Sequence, residues 1–334
     1  MPNVGSGLGA QFGVAKETTY GTYVPPGRFV EVSKVDLHKV KNTSQSDGVA
    51  AGRPAQLASR RKLVTQAVEG SIDMEVTDTM MGIFFEALCG GTPTVVQQGG
   101  SAAYLQTHTI AADSAGKSLT LQTGVPRTTA ATDAFSYLGC KIVKAEFKCS
   151  LNGNLTVTFD VDGRKLDDAQ TLGTASYSAT VQPFDWGQSA IKIHNTYGSE
   201  VAVDGVREFS LTIERHVADD RFYIGNLGLK SEPITNDWLE VSGSFNADYL
   251  DKAIFADRFH ADTGFSIVWE FVGPLIAATY YKTLRFKLPK NFLDGDTPGI
   301  DGPDLINGDF DFVTLSDGTN PLGVIEYMST DTAV

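Results

Sequence analysis

The sequence predicts an all-β protein with short flanking helices, arranged as two similar lobes. Strand-type alternation of apolar and polar residues recurs along most of the chain, and a composition of 42% hydrophobic residues with 34 glycines is typical of a globular β protein. The second observation is a strand followed by a short helix. Residues 68–76 alternate as a half-buried strand, and Asp78 is then a candidate N-cap for a helix. Apolar residues follow at helical spacing before a glycine stop, namely Met81, Phe84, Phe85, Leu88 and Gly90.

The third observation is that this strand–helix unit recurs after about half of the chain. Five residues match at one constant offset: Val68/Val241, Gly70/Gly243, Ser71/Ser244, Ile72/Phe245 and Asp78/Asp251. Residues 35–40 and 155–163 have looser counterparts at 209–213 and 310–318. We therefore predict an internal duplication, with an N-terminal arm at residues 1–28, a first β lobe at 29–170 and a second β lobe at 181–334.

The N-terminal third contains an arm, a strand and a long excursion. Residues 1–28 are too irregular for a core strand and too apolar for a free tail, so we predict an arm that lies on another surface through Tyr20 and Tyr23. Phe29–Val40 alternates as a strand. Residues 41–63 are then polar, and a return strand begins at Val64. A connection of that length is typical of a functional loop, so we predict a projecting hairpin or loop.

The rest of the chain reads as further strands. Residues 92–101 are rich in turn formers and predict a linker. Asn152-Gly predicts a hairpin turn between strands at 140–151 and 155–161. The polar, small residues of 164–180 predict the boundary between the lobes. Alternating patterns then resume at 206–215, 239–248, 265–272 and 283–289.

Charge is unevenly distributed along this acidic chain, whose net charge is −13. Residues 34–62 are basic, whereas no Lys or Arg occurs from Asn291 onward. Such asymmetry can pair unlike surfaces of neighbouring copies or create an acidic field on one surface, and the overall acidity argues against a nucleic-acid-binding protein. The sequence has no apolar run long enough to span a membrane and no secretory pattern, so we expect synthesis and assembly in a cytoplasm.

The sequence offers no convincing catalytic, cofactor or metal site. Its five histidines are scattered, and its three cysteines (Cys89, Cys140, Cys149) are odd in number without metal spacing. The Asp294–Asp304 run lacks the closing glutamate of an EF-hand, so an Asp/Gly/Pro turn cluster is the favoured interpretation over a calcium loop. We expect no enzyme, no cofactor and no metal. The alternative function is a carbohydrate-binding or adhesin-like β-sandwich that uses Trp186, Trp238 and Trp269, although Trp269 lies in a pattern typical of a core strand.

The order of several segments resembles the tail tube proteins of long-tailed, non-contractile bacteriophages. The segments are Gly13-Val-Ala-Lys-Glu-Thr-Thr-Tyr-Gly-Thr22, Phe29-Val-Glu-Val, Gly52-Arg-Pro, Ser59-Arg-Arg-Lys, Val68-Glu-Gly-Ser-Ile and Tyr137-Leu-Gly-Cys-Lys-Ile-Val. The similarity covers about the first 165 residues, with the second half alike in pattern. It implies a β-sandwich or barrel tail-tube fold and rings of six-fold or pseudo-six-fold symmetry. Stacked rings would form a hollow conduit through which viral DNA is ejected without specific binding.

The resemblance also implies partners and candidate surfaces. The partners are further copies of the chain and other tail proteins, such as the tape measure and terminator proteins, in a virion tail assembled in the host bacterial cytoplasm. The chain is about twice the length of a one-lobed tube protein, so we slightly favour rings of three two-lobed chains over rings of six chains. We predict acidic residues facing the lumen at Asp160, Asp162, Asp309 and Asp311. The candidates for contacts between rings are Tyr20, Tyr23, Arg53, Arg60, Arg61 and Lys62.

Overall fold

Antiparallel strands make up most of the computed structural model, which describes residues 5–127, 131–252, 254–295, 303 and 305–334. The all-β prediction is confirmed. Up to residue 170 the elements are β1 (Gln11–Lys16), β2 (Arg28–Phe29), β3 (Lys34–Ser44), β4 (Lys62–Glu75), α1 (Gly82–Cys89), β5 (Thr94–Gln97), β6 (Tyr104–Thr109), β7 (Leu119–Pro126), β8 (Thr132–Cys149), β9 (Thr156–Gly163) and β10 (Lys165–Asp167). The later elements are β11 (Ser189–His194), β12 (Val201–Ala202), β13 (Val206–Glu214), β14 (Val217–Ala218), β15 (Ile234–Thr235), β16 (Glu240–Asp248), α2 (Ala256–His260), β17 (Phe265–Ala277), β18 (Tyr280–Gly295), β19 (Asn307–Thr314) and β20 (Val324–Ser329).

Eight strands form one continuous antiparallel sheet, which we call the long sheet. Its strand order is β3-β4-β9-β8-β13-β16-β19-β18. The first half-sheet consists of β3, β4, β9 and β8, and the second half-sheet consists of β13, β16, β19 and β18. The two are joined where β8 pairs with β13, from Cys149 opposite Phe209 to Lys144 opposite Glu214.

The two half-sheets repeat the same strand order and the same register. Equivalent residue pairs in the first and second half-sheets are Leu37–Gly70 and Leu211–Gly243, Ser71–Asp160 and Ser244–Asp311, and Lys144–Asp160 and Asp294–Asp311. Four of the five residue pairs that echo each other in the sequence, from Val68/Val241 to Ile72/Phe245, therefore occupy equivalent places in β4 and β16.

A flanking sheet accompanies each half-sheet. The first flanking sheet has the order β2-β1-β7-β8-β10, and the second has the order β12-β11-β17-β18-β20-β6-β5. The long strands β8 and β18 pass from a flanking sheet into the long sheet. Strands β5 and β6 come from the first half of the chain but pair in the second flanking sheet, through β6 and β20. The turn-rich linker expected at residues 92–101 therefore contains a strand, β5, which the β6 pairing stabilises.

The core lies between the long sheet and the flanking sheets and is continuous along the chain. Phe147 of β8 packs against Phe85 of α1, and its ring centroid lies 4.7 Å from that of Phe286 in β18. Phe286 in turn lies 5.4 Å from Trp269 of β17. These contacts bury aromatic surface from both halves of the chain in one cluster, which stabilises their arrangement.

Both predicted helices are present, but the first begins differently from the prediction. α1 ends at Gly90, whose φ of 75° is readily adopted by glycine, as predicted. Met81, not Asp78, occupies the N-cap position. The buried Asp78 carboxylate instead accepts a hydrogen bond from Gln182 N and lies 2.6 Å from Lys282 Nζ. Asp78 therefore joins distant parts of the chain rather than capping a local turn.

The N-terminal segment also differs from the prediction of an irregular arm. Gln11–Lys16 is a regular strand, β1, between β2 and β7, with Phe12 and Val14 fully buried. Four successive residues of β1 are buried, so buried and exposed residues do not alternate along this strand. Period-two patterning cannot detect a strand that is covered on both faces.

Candidate assembly surfaces

One face of the long sheet contacts the core, and the opposite face is polar and rich in carboxylates. Strand alternation places on this polar face the acids Asp36, Glu69, Asp73, Glu75, Glu146, Asp160, Asp162, Glu208, Glu214, Glu240, Asp294, Asp309 and Asp311. The cations on the same face include Lys34, Lys141, Lys144 and Lys148. Acids outnumber cations, so the polar face has a negative electrostatic potential.

Three of the four acids predicted to face a lumen are at least partly accessible on this polar face. Asp309 and Asp311 are exposed, and Asn246 Nδ2 donates a hydrogen bond of 2.7 Å to Asp309. Asp160 is half-buried opposite Lys144, and partial burial raises its pKa. The equivalent register of β9 and β19 brings Asp160 and Asp311 to matching positions.

The fourth acid, Asp162, lies in a different environment from the one expected. Its side chain is buried and forms an ion pair with the buried ammonium of Lys230. Burial raises the pKa of Asp162 to about 6, although the charge of Lys230 acts in the opposite direction. Strand alternation predicts the face on which Asp162 lies but not the segment that covers that face.

The covering segment is the connection between β13 and β16, residues 215–239, which folds back over the first half-sheet. Gln66 N donates to Gly228 O at 3.0 Å, and Lys141 Nζ lies 2.6 Å from Glu232. Lys230 adds the ion pair with Asp162. Burial lowers the pKa of Lys141, while Glu232 opposes this effect. These contacts bind the second half of the chain to the first.

The equivalent connection between β3 and β4 projects instead of folding back. Lys41–Ser44 pairs with Lys62–Gln66, beyond the point at which β4 begins to pair with β9 at Val68. Residues 45–61 continue this overhang, and we call residues 41–65 the projecting hairpin. Its exposed side chains include the predicted basic candidates Arg53, Arg60, Arg61 and Lys62. Three apolar side chains are exposed there as well, Val49 at 99%, Leu63 at 50% and Val64 at 49%, which is typical of a contact surface.

The two tyrosines predicted as contacts between rings lie against the chain itself. Arg164 stacks over the Tyr20 ring at 5.6 Å, and Tyr23 Oη donates to Thr171 O at 3.3 Å. Both side chains are half-buried. In this single chain they attach the N-terminal segment to the first flanking sheet.

Glu17 organises the segment around these tyrosines, and sequence reasoning did not single it out. Its buried carboxylate accepts hydrogen bonds from Gly21 N and Gly139 N at 2.7 and 2.8 Å. The hydroxyls of Ser118 and Thr120 also donate to it, at 2.8 and 3.0 Å. Burial raises the pKa of Glu17, whereas these hydrogen bonds lower it. A glutamate between polar residues has the pattern of a solvated turn, so the sequence carried no local signal.

Arg215 is a second residue that sequence reasoning missed. Its buried guanidinium donates to the carbonyl oxygens of Leu88 at 2.6 Å and Ala111 at 2.9 Å, and also to that of Cys89. It thereby satisfies carbonyls at the C-terminal end of α1. Its position immediately after β13 gave no indication of this role.

Two strand edges of the long sheet have no strand partner within the described chain. β3, at one end, pairs only with β4, and Phe292–Gly295 of β18, at the other end, pairs only with β19. An open groove of about 780 Å³ runs beside β3 and is lined by Phe12, Val35, Leu37, Phe135 and Tyr137, among others. Free edges with unpaired backbone groups are sites where another chain can add strands.

The side chains considered for other chemistry are dispersed. Trp238 is 87% exposed, Trp186 donates its ring N–H to Arg207 O, and Trp269 is buried. Asp296, Asp301 and Asp304 lie outside the described residues, and elsewhere in the described chain no group of three or more His, Cys, Asp or Glu could hold a metal ion. In the same residues, no helix is long and apolar enough to cross a membrane.

Comparison with known proteins bears on this arrangement. No curated protein matches the chain. A family model described as phage tail tube protein matches residues 7–314, which include both half-sheets and every strand of the two flanking sheets except β20. Because this match covers most of the sequence, the chain belongs to the family of phage tail tube proteins, structural components of the virion tail.

Proposed function

We propose that the chain assembles into stacked rings that form the hollow tail tube of a long-tailed, non-contractile phage, and that DNA is ejected through this tube. The observation that carries the proposal is the repeated register of the two half-sheets, with a free edge left at each end of the long sheet. The two free edges correspond to the two partners of the β8–β13 junction, so the sheet can continue from one copy to the next and close into a ring.

Three chains per ring fit this repeat. Each chain supplies two half-sheets with the same strand order, so three chains supply six equivalent units around a central hole. The repeat also supports an internal duplication with two lobes, at residues 29–170 and 181–334. Such a head-to-tail ring closes without leaving an exposed strand edge.

The polar face of the long sheet is our candidate for the lumen wall. Asp309 and Asp311 are accessible there and Asp160 is partly so, whereas Asp162 is paired with Lys230. A negative wall repels the phosphates of DNA and so favours passage without binding, whereas cationic groups would retain phosphates.

The projecting hairpin is our candidate for contact between stacked rings. Neighbouring strands of a closed sheet succeed one another around the ring, so an overhang along the strand direction points toward the next ring. Arg53, Arg60, Arg61 and Lys62 would then meet acidic residues there, with Val49, Leu63 and Val64 adding apolar contact. Tyr20 and Tyr23 would support this surface from the N-terminal segment. At the two ends of the tube, the same surfaces would contact the tape measure and terminator proteins after assembly in the host cytoplasm.

The proposal is tested by negative-stain microscopy of the purified chain, combined with mass measurement of isolated rings. We expect rings or tubes, and a ring mass about three times 35.8 kDa. A mass of six chains would reject the three-chain ring while leaving the tube function in place. A stable monomer at all concentrations would contradict the tube function and favour the adhesin-like alternative.

A further inference from the structure

We infer that the junction between the two half-sheets is the template for the junction between neighbouring copies, so that β3 of one copy pairs with the Phe292–Gly295 edge of the next in a defined register. This inference rests on the proposed ring. It goes beyond the ring by naming the residues that face each other between copies.

The template is the pairing of β8 with β13. Along its length, β8 pairs on one edge first with β7 and then with β13. On the other edge it pairs first with β10 and then with β9. One edge of β18 is paired in the same way as the second edge of β8, first with β20 and then with β19. The other edge of β18 carries β17 up to Asn291 and, among the residues that the structure describes, no strand from Phe292 to Gly295. The position that β13 occupies beside β8 is therefore empty beside β18.

β3 is the strand that fits this position, because it is the equivalent of β13 in the first half-sheet. Leu37 opposite Gly70 corresponds to Leu211 opposite Gly243. Val40 lies three residues after Leu37, and Glu214 lies three residues after Leu211, so Val40 corresponds to Glu214. On the other side of the junction, Lys144 opposite Asp160 corresponds to Asp294 opposite Asp311.

The register between copies follows from these equivalences. Within the chain, Glu214 lies opposite Lys144. Between copies, Val40 should therefore lie opposite Asp294, and Lys39 opposite Gly295. In this register the Val40 and Asp294 side chains would project together from the polar face, and those of Lys39 and Lys41 from the opposite face.

The groove beside β3 supports a strand-bearing neighbour of this kind. An equivalent groove lies beside β13 and is smaller, about 260 Å³ compared with 780 Å³ beside β3. Cys149, at the end of the neighbouring strand β8, lines the smaller groove. No strand of the described chain lies beside β3 in the equivalent position, and a neighbouring copy paired with β3 would supply one.

Disulfide cross-linking of the full-length chain tests the register. In the double variant Val40→Cys/Asp294→Cys, the two thiols should lie opposite each other in an antiparallel pair, where Cα atoms are about 5 Å apart and a disulfide can form. The matched control is Asp36→Cys/Asp294→Cys. Asp36 lies on the same face four residues from Val40, about 13 Å along the strand, and should not cross-link. The native cysteines are buried, so they should not compete.

We expect oxidised rings of the Val40→Cys/Asp294→Cys variant to run on a denaturing gel as covalent products of up to three chains. Reductant should return them to the single-chain position. Rings that are visible in micrographs but form no such disulfide, or that cross-link only in the Asp36→Cys control, would overturn the register and leave the proposed tube function standing. Absence of both rings and cross-links would overturn both.

Discussion

Lys144 Nζ lies 3.2 Å from the Glu214 carboxylate across the junction at which β8 pairs with β13. The hydrogen bond to Glu214 raises the pKa of Lys144, and both side chains remain about one third exposed. Solvent screens a pair of this exposure, so its contribution to stability is small, but its charges lie at the only strand pairing that joins the half-sheets within the described chain.

Lys144→Glu should place like charges across this junction and lower the free energy of unfolding by about 1 kcal/mol, measured by urea denaturation. Adding Glu214→Lys should recover most of that loss, because the attraction is restored with reversed polarity. Lys144→Gln is the control that removes attraction without adding repulsion. A double variant no more stable than Lys144→Glu would show that the two side chains are not coupled.

Arg215→Met should destabilise the chain by about 2–4 kcal/mol, because it leaves the carbonyls of Leu88, Cys89 and Ala111 without donors in a buried site. The matched control is Arg207→Met. Arg207 pairs with Asp248 near the surface, with 43% of its side chain exposed, so its loss should cost less than about 1 kcal/mol. Chemical denaturation of both variants gives the comparison, and equal losses would contradict the role assigned to Arg215.

His108 should make the stability of the chain fall as the solution is acidified. It is fully buried beside Phe85, and burial lowers its pKa to about 4. Protons bind the unfolded state first, at its ordinary pKa near 6.5, so the neutral folded form contributes its full stability above about pH 6.5. That contribution should be lost progressively down to about pH 4 and amounts to about 3 kcal/mol.

His108→Leu should therefore flatten the decline in unfolding free energy between pH 6.5 and pH 4, measured by denaturation at a series of pH values. Phe85→Leu changes the same part of the core without removing an imidazole. It should lower stability by a similar amount at every pH in this range. An unchanged slope in His108→Leu would exclude His108 as the cause.

Asp309→Lys/Asp311→Lys should leave the chain folded, since both side chains are exposed, but should make assembled tubes retain double-stranded DNA at low salt. Asp168→Lys, in the exposed turn after β10 and outside the long sheet, is the control for added positive charge. Filter binding of labelled DNA measures the effect. If the Asp168→Lys control retained as much DNA as the Asp309→Lys/Asp311→Lys variant, the polar face of the long sheet would not line the lumen.

Deletion of Ser44–Ala58 should remove most of the projecting hairpin and leave a folded chain that forms rings but not long tubes. These residues contribute little to the described core, which accounts for the retained fold. Electron microscopy gives the tube lengths. Arg53→Glu/Arg60→Glu should produce a milder shortening that resembles the effect of high salt on the unmodified chain. Tubes of normal length from the deletion variant would exclude the hairpin as the contact between rings.

Features encoded within a few residues were predictable from the sequence alone. The helical spacing after Met81, the glycine at position 90 and the Asn152-Gly turn each act through local backbone geometry, and all three occur as predicted. The recurrence of Val68-x-Gly-Ser at Val241 predicted two strands that occupy equivalent positions, because a repeated sequence repeats the same alternation of faces.

Features that depend on partners distant in the sequence were decided only by the tertiary structure. Asp78 is a good local N-cap, yet its pairing with Lys282 removes it from that role. Asp162 has the alternation of an exposed residue, yet Lys230 covers it from the connection between β13 and β16. Glu17 and Arg215 bind backbone groups more than a hundred residues away. Strand periodicity specifies which face a side chain occupies, whereas the burial and ion pairing of that face depend on long-range packing, which short sequence patterns do not encode.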